Sequence, residues 1–132
     1  MSVTGDFLKK HEDLALALET AYPNYVIAKS ESELSMGNFP AIGIFLGVSE
    51  HEKRARAYAP IRYSYILCTF DIYDFDNPSD LLTKQQAMFD LLENIINTMS
   101  YTVLTDIEPA ISIGIDVGTF ITGWTTVIIF NA

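Results

Sequence analysis

Few side chains in this sequence have types and spacings that would let them do chemistry together. The densest carboxylate set is Asp71, Asp74 and Asp76. Hard oxygens at the end of a strand can hold Mg²⁺ or Ca²⁺. However, Asp76-Asn77-Pro78 is explained by the start of a helix, and no Asp-x-Asp-x-Asp-Gly loop follows. Glu50-His51-Glu52 are adjacent in a loop, and adjacent residues rarely converge on one ion without further ligands. His11, beside Glu12 and Asp13, is expected at the surface and partly exposed. Cys68 is the only cysteine, so no disulfide framework exists, and one Cys with two His argues against a zinc cluster. Its place on the apolar side of a strand predicts a buried, inert thiol. No phosphate loop, no Gly-x-Gly-x-x-Gly leading from strand to helix and no Gly-x-Ser-x-Gly elbow occurs. Trp124 is expected to anchor the core rather than form a ligand platform. No catalytic, cofactor-binding or metal-binding residue is nominated, and a non-enzymatic role without a cofactor is expected.

Two groups of residues stand apart. Lys53, Arg54, Arg56 and Arg62 are half of the eight Lys and Arg residues; they form either a solvated basic loop or a contact surface. Tyr63, Tyr65 and Tyr73 share one side of a long strand, and tyrosine has an apolar body with a polar tip. That row is either cross-strand packing or an intersubunit surface.

The elements that position these groups follow from periodicity. Phe7, Leu14, Leu18 and Ala21 recur at helical spacing, with Leu8, Ala15 and Tyr22 beside them, and Lys9, Lys10, Glu12, Asp13 and Glu19 opposite. Thr4 caps this helix, and Pro23-Asn24 stop it. Tyr25–Ala28 is a short strand. Ala41–Val48 is apolar nearly throughout, which predicts a strand covered on both faces. Residues 49–60 form a long charged excursion. Ile61–Phe75 then alternates Ile66, Cys68, Phe70 and Ile72, taken as the core face, against Tyr63, Tyr65, Leu67, Thr69, Asp71 and Tyr73, taken to meet a partner or water. Asn77 as N-cap and Pro78 in the first helical position open a second helix. Its buried stripe is expected to be Leu81, Leu82, Met88, Phe89, Leu92, Ile95, Ile96 and Met99. Tyr101–Leu104 is a short strand candidate. Ala110–Val117 and Phe120–Phe130 close the chain as a hairpin about Gly118-Thr119.

The chain has 132 residues, of which 49% are hydrophobic and 19% charged, which fits one folded domain over 1–132 rather than a disordered chain. The expected class is α+β: a mixed, mainly antiparallel sheet, two amphipathic helices packed on one face and a C-terminal β-hairpin. A net charge of −9 disfavours nucleic acid and anionic membrane. No apolar run reaches the ~18–20 residues of a spanning helix. Met1–Asp6 lacks the basic and apolar regions of a secretory signal, and cysteine usage fits a reducing compartment.

The order of elements resembles the small tail-terminator and tail-completion proteins of long-tailed bacteriophages. The resemblance is carried by Glu19-Thr20-Ala21-Tyr22-Pro23 ending the first helix and Arg62-Tyr63-Ser64-Tyr65-Ile66-Leu67 opening the long strand. Gln86-Ala87-Met88-Phe89-Asp90-Leu91-Leu92 in the second helix and a closing Gly123-Trp124-Thr125-Thr126-Val127-Ile128-Ile129-Phe130 complete it. It implies a virion structural protein assembled in the host cytoplasm, a homo-oligomeric ring of usually six subunits in the tail or neck. Such a ring caps the tail tube protein and meets the head–tail connector, and DNA passes through its lumen without specific binding. No catalytic residue carries over. Lys53, Arg54, Arg56, Arg62, Tyr63 and Tyr65 would lie at a subunit or tube contact, and one subunit's sheet edge would join the next. The alternatives are another neck, tail-tube, baseplate or head-completion subunit, a cellular small-ligand-binding α+β domain, or an enzyme centred on Asp71 and Asp74.

Overall fold

The computed structural model describes residues 3–30, 33, 39–47, 62–74, 76–109, 113–116 and 119–131, and for 3–7, 62, 63, 113–116, 119, 130 and 131 the backbone alone. Helix α1 spans Val3–Ala21 and α2 spans Pro78–Met99. The strands are β1 (Val26–Ala28), β2 (Ala41–Leu46), β3 (Arg62–Asp74), β4 (Thr102–Val103), β5 (Glu108–Pro109), β6 (Ile113–Asp116) and β7 (Thr119–Asn131).

The strands form one sheet in the order β1-β2-β3-β7, with β4, β5 and β6 each pairing with β7. Only β1 and β2 are parallel; every other pairing is antiparallel. The backbone of the sheet is the β3–β7 ladder, which runs without a break from Arg62↔Asn131 to Asp74↔Thr119. In the terminal hairpin Asp116 pairs with Thr119. Pro40 precedes β2 and contributes its carbonyl, which accepts from the Val26 amide at 3.3 Å. The missing proline N–H therefore costs the ladder nothing. The α+β expectation holds, with both helices on one face and the hairpin at the C-terminal end.

Helix α2 is set by local chemistry. The Asn77 side chain accepts from the Ser79 and Asp80 amides, Pro78 opens the helix and Asp80 lies in its first turn. The helix ends on Ser100 in the left-handed region (φ 56°), and the Tyr101 amide donates back to the Ile96 carbonyl at 3.1 Å. Met88, Leu91, Leu92 and Ile95 are buried against β3 and β7, while Leu14, Ala15 and Leu18 of α1 cover β1 and β2. The two helices are tied at one end by the Tyr22 hydroxyl, which donates to Asn94 Oδ1 at 2.6 Å. Leu82 departs from the expected stripe: it is 67% exposed.

The faces of β3 are the reverse of the sequence expectation. Tyr65, Leu67 and Thr69 are fully buried beneath the helices, together with Ile42, Ile44 and Ile128. Ile66, Cys68 and Phe70 point the other way and form a smaller cluster with Ala28 and Phe45. Tyr and Thr are buried because their polar atoms find partners or their rings stack; Thr69 Oγ1, for example, donates to the Met88 carbonyl at 2.8 Å. On the helix-free face two glycines act as notches. A Cβ at Gly43 would meet the Phe45 ring, and one at Gly123 would meet Phe70 Cδ1 at 2.8 Å. Both phenylalanine rings therefore lie down on the sheet, which shields Cys68 and Ala28 from water.

Candidate functional site

The residues expected to form a contact surface separate into three sets. Lys53, Arg54 and Arg56 lie outside the described residues, as does the whole excursion 49–60. Arg62 and Tyr63 open β3, and their backbones pair with Asn131 and Phe130. Tyr65 is fully buried, stacked on the His11 ring with centroids 5.9 Å apart. It supports α1 from below and offers nothing to a partner, so its assignment to an interface is corrected. Tyr73 is also buried, against the Phe120 ring.

His11 is corrected as well. It is buried rather than partly exposed, because its position on α1 faces β2. Its Nε2 lies 2.5 Å from the Ile44 carbonyl oxygen, so that nitrogen carries the proton and donates. The bond satisfies a polar ring that the packing would otherwise strand.

The carboxylates at the far end of β3 are engaged locally. Asp71 pairs with Lys84 of α2 at 3.3 Å and accepts from the Ile72 amide. Asp74 accepts from the Asp76 amide, and Asp80 accepts from the Asp74 amide at 2.8 Å. Among the described residues no group of three or more His, Cys, Asp or Glu could hold a metal ion. Asp74 and Asp76 remain exposed. The long strand thus begins at Arg62 and carries exposed acids at and just past its last residue. Its 13 residues separate those ends by roughly 40 Å at ~3.3 Å per residue.

The two sheet edges are blunted. Along β1, the Tyr25 amide is taken by the Tyr22 carbonyl and the Lys29 amide by Glu33 Oε2 at 2.8 Å. Along β7, the partner edge is broken into β4, β5 and β6. Between β4 and β5 the Leu104 amide still donates to the Val127 carbonyl, while Thr105 makes irregular contacts: its Oγ1 accepts from the Val127 amide and its backbone carbonyl accepts from Thr126 Oγ1. Pro109 then supplies a residue with no amide proton. Short, bulged or self-capped edges resist the addition of a foreign strand.

Trp124 is half-buried and its indole N–H donates to the Gln85 carbonyl at 2.8 Å, with the Phe89 ring edge-on at 5.1 Å. It packs against the core as expected, and it also borders a surface hollow with Leu82, Gln85, Gln86 and Phe89. Nothing in the residue spacing marks this hollow, because helical periodicity places Leu82 in the buried stripe of α2. Tyr101 is buried at the end of α2, and burial first, then the neighbouring Tyr22, push its hydroxyl up to about 12. No described helix is long and apolar enough to cross a membrane. No family model matches the chain, and no curated protein matches it.

Proposed function

We propose that this chain is a virion structural protein of a long-tailed bacteriophage, a tail terminator or completion subunit that forms a ring, usually of six copies. The ring caps the tail tube and joins it to the head connector, with DNA passing through the lumen. The observation that supports this reading is the pair of exposed acids, Asp74 and Asp76, at one end of β3; in sequence, Lys53, Arg54 and Arg56 come before its other end, which opens with Arg62. A subunit with opposite charges at opposite ends suits head-to-tail, heterologous contacts, which close into rings when the rotation permits. Opposite charges set register and speed docking more than they add affinity.

The element order that resembles tail terminators also supports the reading. The blunted edges refine it: the contact runs through the charged ends and the helix-free face rather than through strand addition. Ile66, Phe70, Ile72 and Val127 are half-buried on that face.

The test is the double substitution Arg54→Glu with Arg56→Glu. Exposed charges contribute little to stability, so the monomer should melt as the parent does. Ring formation, read by native mass and electron microscopy, should be lost. A folded double variant that assembles normally would overturn the assignment of these cations to the contact.

A further inference from the structure

The hollow beside α2 is built from residues that the ring reading does not use. It is open to solvent, has a volume of ≈ 300 Å³ and is lined by Leu82, Gln85, Gln86, Phe89 and Trp124. Leu82 is 67% exposed, so an aliphatic side chain stands in water next to a half-buried Trp–Phe pair. Isolated exposed leucines are ordinary, but apolar side chains that adjoin one another at the surface mark contact sites. The Trp124 ring is fixed in place because its N–H is spent on the Gln85 carbonyl. It therefore offers only apolar surface, already in its bound orientation, which lowers the entropy cost of binding. The two glutamine side chains border the apolar floor, and Gln86 is oriented by donating to Asp90 Oδ1 at 2.8 Å. Amides beside an apolar socket match one side chain and the adjoining peptide groups of an extended segment. Small molecules instead favour enclosed pockets that cover most of their surface.

Charge selects the occupant. Among the described residues no cation lines the hollow. Asp90 and Glu93, both exposed, lie one helical turn beyond Gln86 and Phe89 on α2. The only described cation on this helix, Lys84, is not among the lining residues and is paired with Asp71. With the chain at −9 overall, the approach to this site is electronegative.

We infer that the α2 hollow is a docking site for a cationic peptide segment of a partner protein, with one apolar side chain seated on Trp124 and Phe89 and a lysine or arginine alongside Asp90 and Glu93. None of the residues lining the hollow is assigned to the ring contact, so the inference would stand whether or not the chain forms rings.

Trp124 is the only tryptophan in the chain and serves as the reporter. The probe is a blocked heptapeptide with a central leucine followed by two lysines. It should give a saturable change in tryptophan emission. Leu82→Glu, at a position exposed enough to leave the fold intact by thermal melt, should weaken binding about tenfold or more. Glu93→Lys should weaken it about threefold and flatten its salt dependence. An analogue with alanine for the central leucine, or glutamates for the lysines, should not bind. No saturable change with the lysine peptide, equal binding of either analogue, or unchanged binding to Leu82→Glu would overturn the inference.

Discussion

Tyr65→Ala and Ile66→Ala, made separately, test which face of β3 carries the core. The two residues are neighbours in the strand and point to opposite faces. Tyr65 is fully buried under α1 and stacked on His11, with Ile128 across from it in β7. Truncating such an aromatic removes its transfer energy and leaves a cavity, a loss of about 3–5 kcal/mol. Ile66 is half-buried beside Phe45 on the helix-free face. Less of its surface leaves water on folding, so its truncation should cost about 1–2 kcal/mol. The assay is urea unfolding of the monomer. With a slope of about 2 kcal/mol per molar, the midpoint should fall by about 2 M for Tyr65→Ala and by less than about 1 M for Ile66→Ala. A loss of 4 kcal/mol is a large part of a domain's stability of about 5–15 kcal/mol. If Tyr65→Ala is too unstable to titrate, Tyr65→Leu keeps the ranking measurable. An equal or larger loss from Ile66→Ala would refute the burial of Tyr65 beneath the helices and restore the tyrosine row as a surface.

Gly123→Ala should be severe for a single methyl, because the new Cβ would meet the Thr69 carbonyl oxygen, a backbone atom of the central ladder. A loss of at least about 2–3 kcal/mol is expected by thermal melt, and a neutral outcome would show that β3 and β7 can separate at that point. Asn77→Ala should cost about 1 kcal/mol by removing the side chain that accepts from Ser79 and Asp80. For Tyr101, the folded value is about 12 and the ordinary value 10.0, so the fold favours the neutral phenol. Its contribution is fully present below about pH 10 and is lost as pH rises toward about 12. In a pH series of thermal melts, Tyr101→Phe should show a shallower decline than the parent over that window.

The elements were legible where local chemistry is self-sufficient. Asn77-Pro78 announces α2 because capping depends only on neighbours in sequence, and the closing strand is marked by its run of β-branched and aromatic residues. The apolar run at 41–48 implied a strand covered on both sides, which holds for Ala41–Phe45; the strand ends at Leu46, which is exposed, and Val48 lies outside the described residues. Which face of β3 meets the helices was not legible. Both faces are apolar enough to be core, and the alternation of period two separates the faces without ranking them. The choice is made across the sheet, where Tyr65, Leu67 and Thr69 stand opposite Ile128, Thr126 and Trp124. His11 was misplaced for the same reason: a histidine is buried only if a distant carbonyl, here that of Ile44, lies ready to accept from it. Leu82 shows the converse, an apolar residue in helical register that lies outside the buried stripe of Met88, Leu91, Leu92 and Ile95. The cations at 53, 54 and 56 were legible as a charge cluster in the sequence, and they lie outside the described residues.

The central claim is tested most directly by the native mass of the purified protein over a concentration series, with electron microscopy of the largest species, alone and with tail tubes. A closed ring, or a monomer that forms rings only on tubes, is the predicted result. A monomer indifferent both to concentration and to tubes would contradict it.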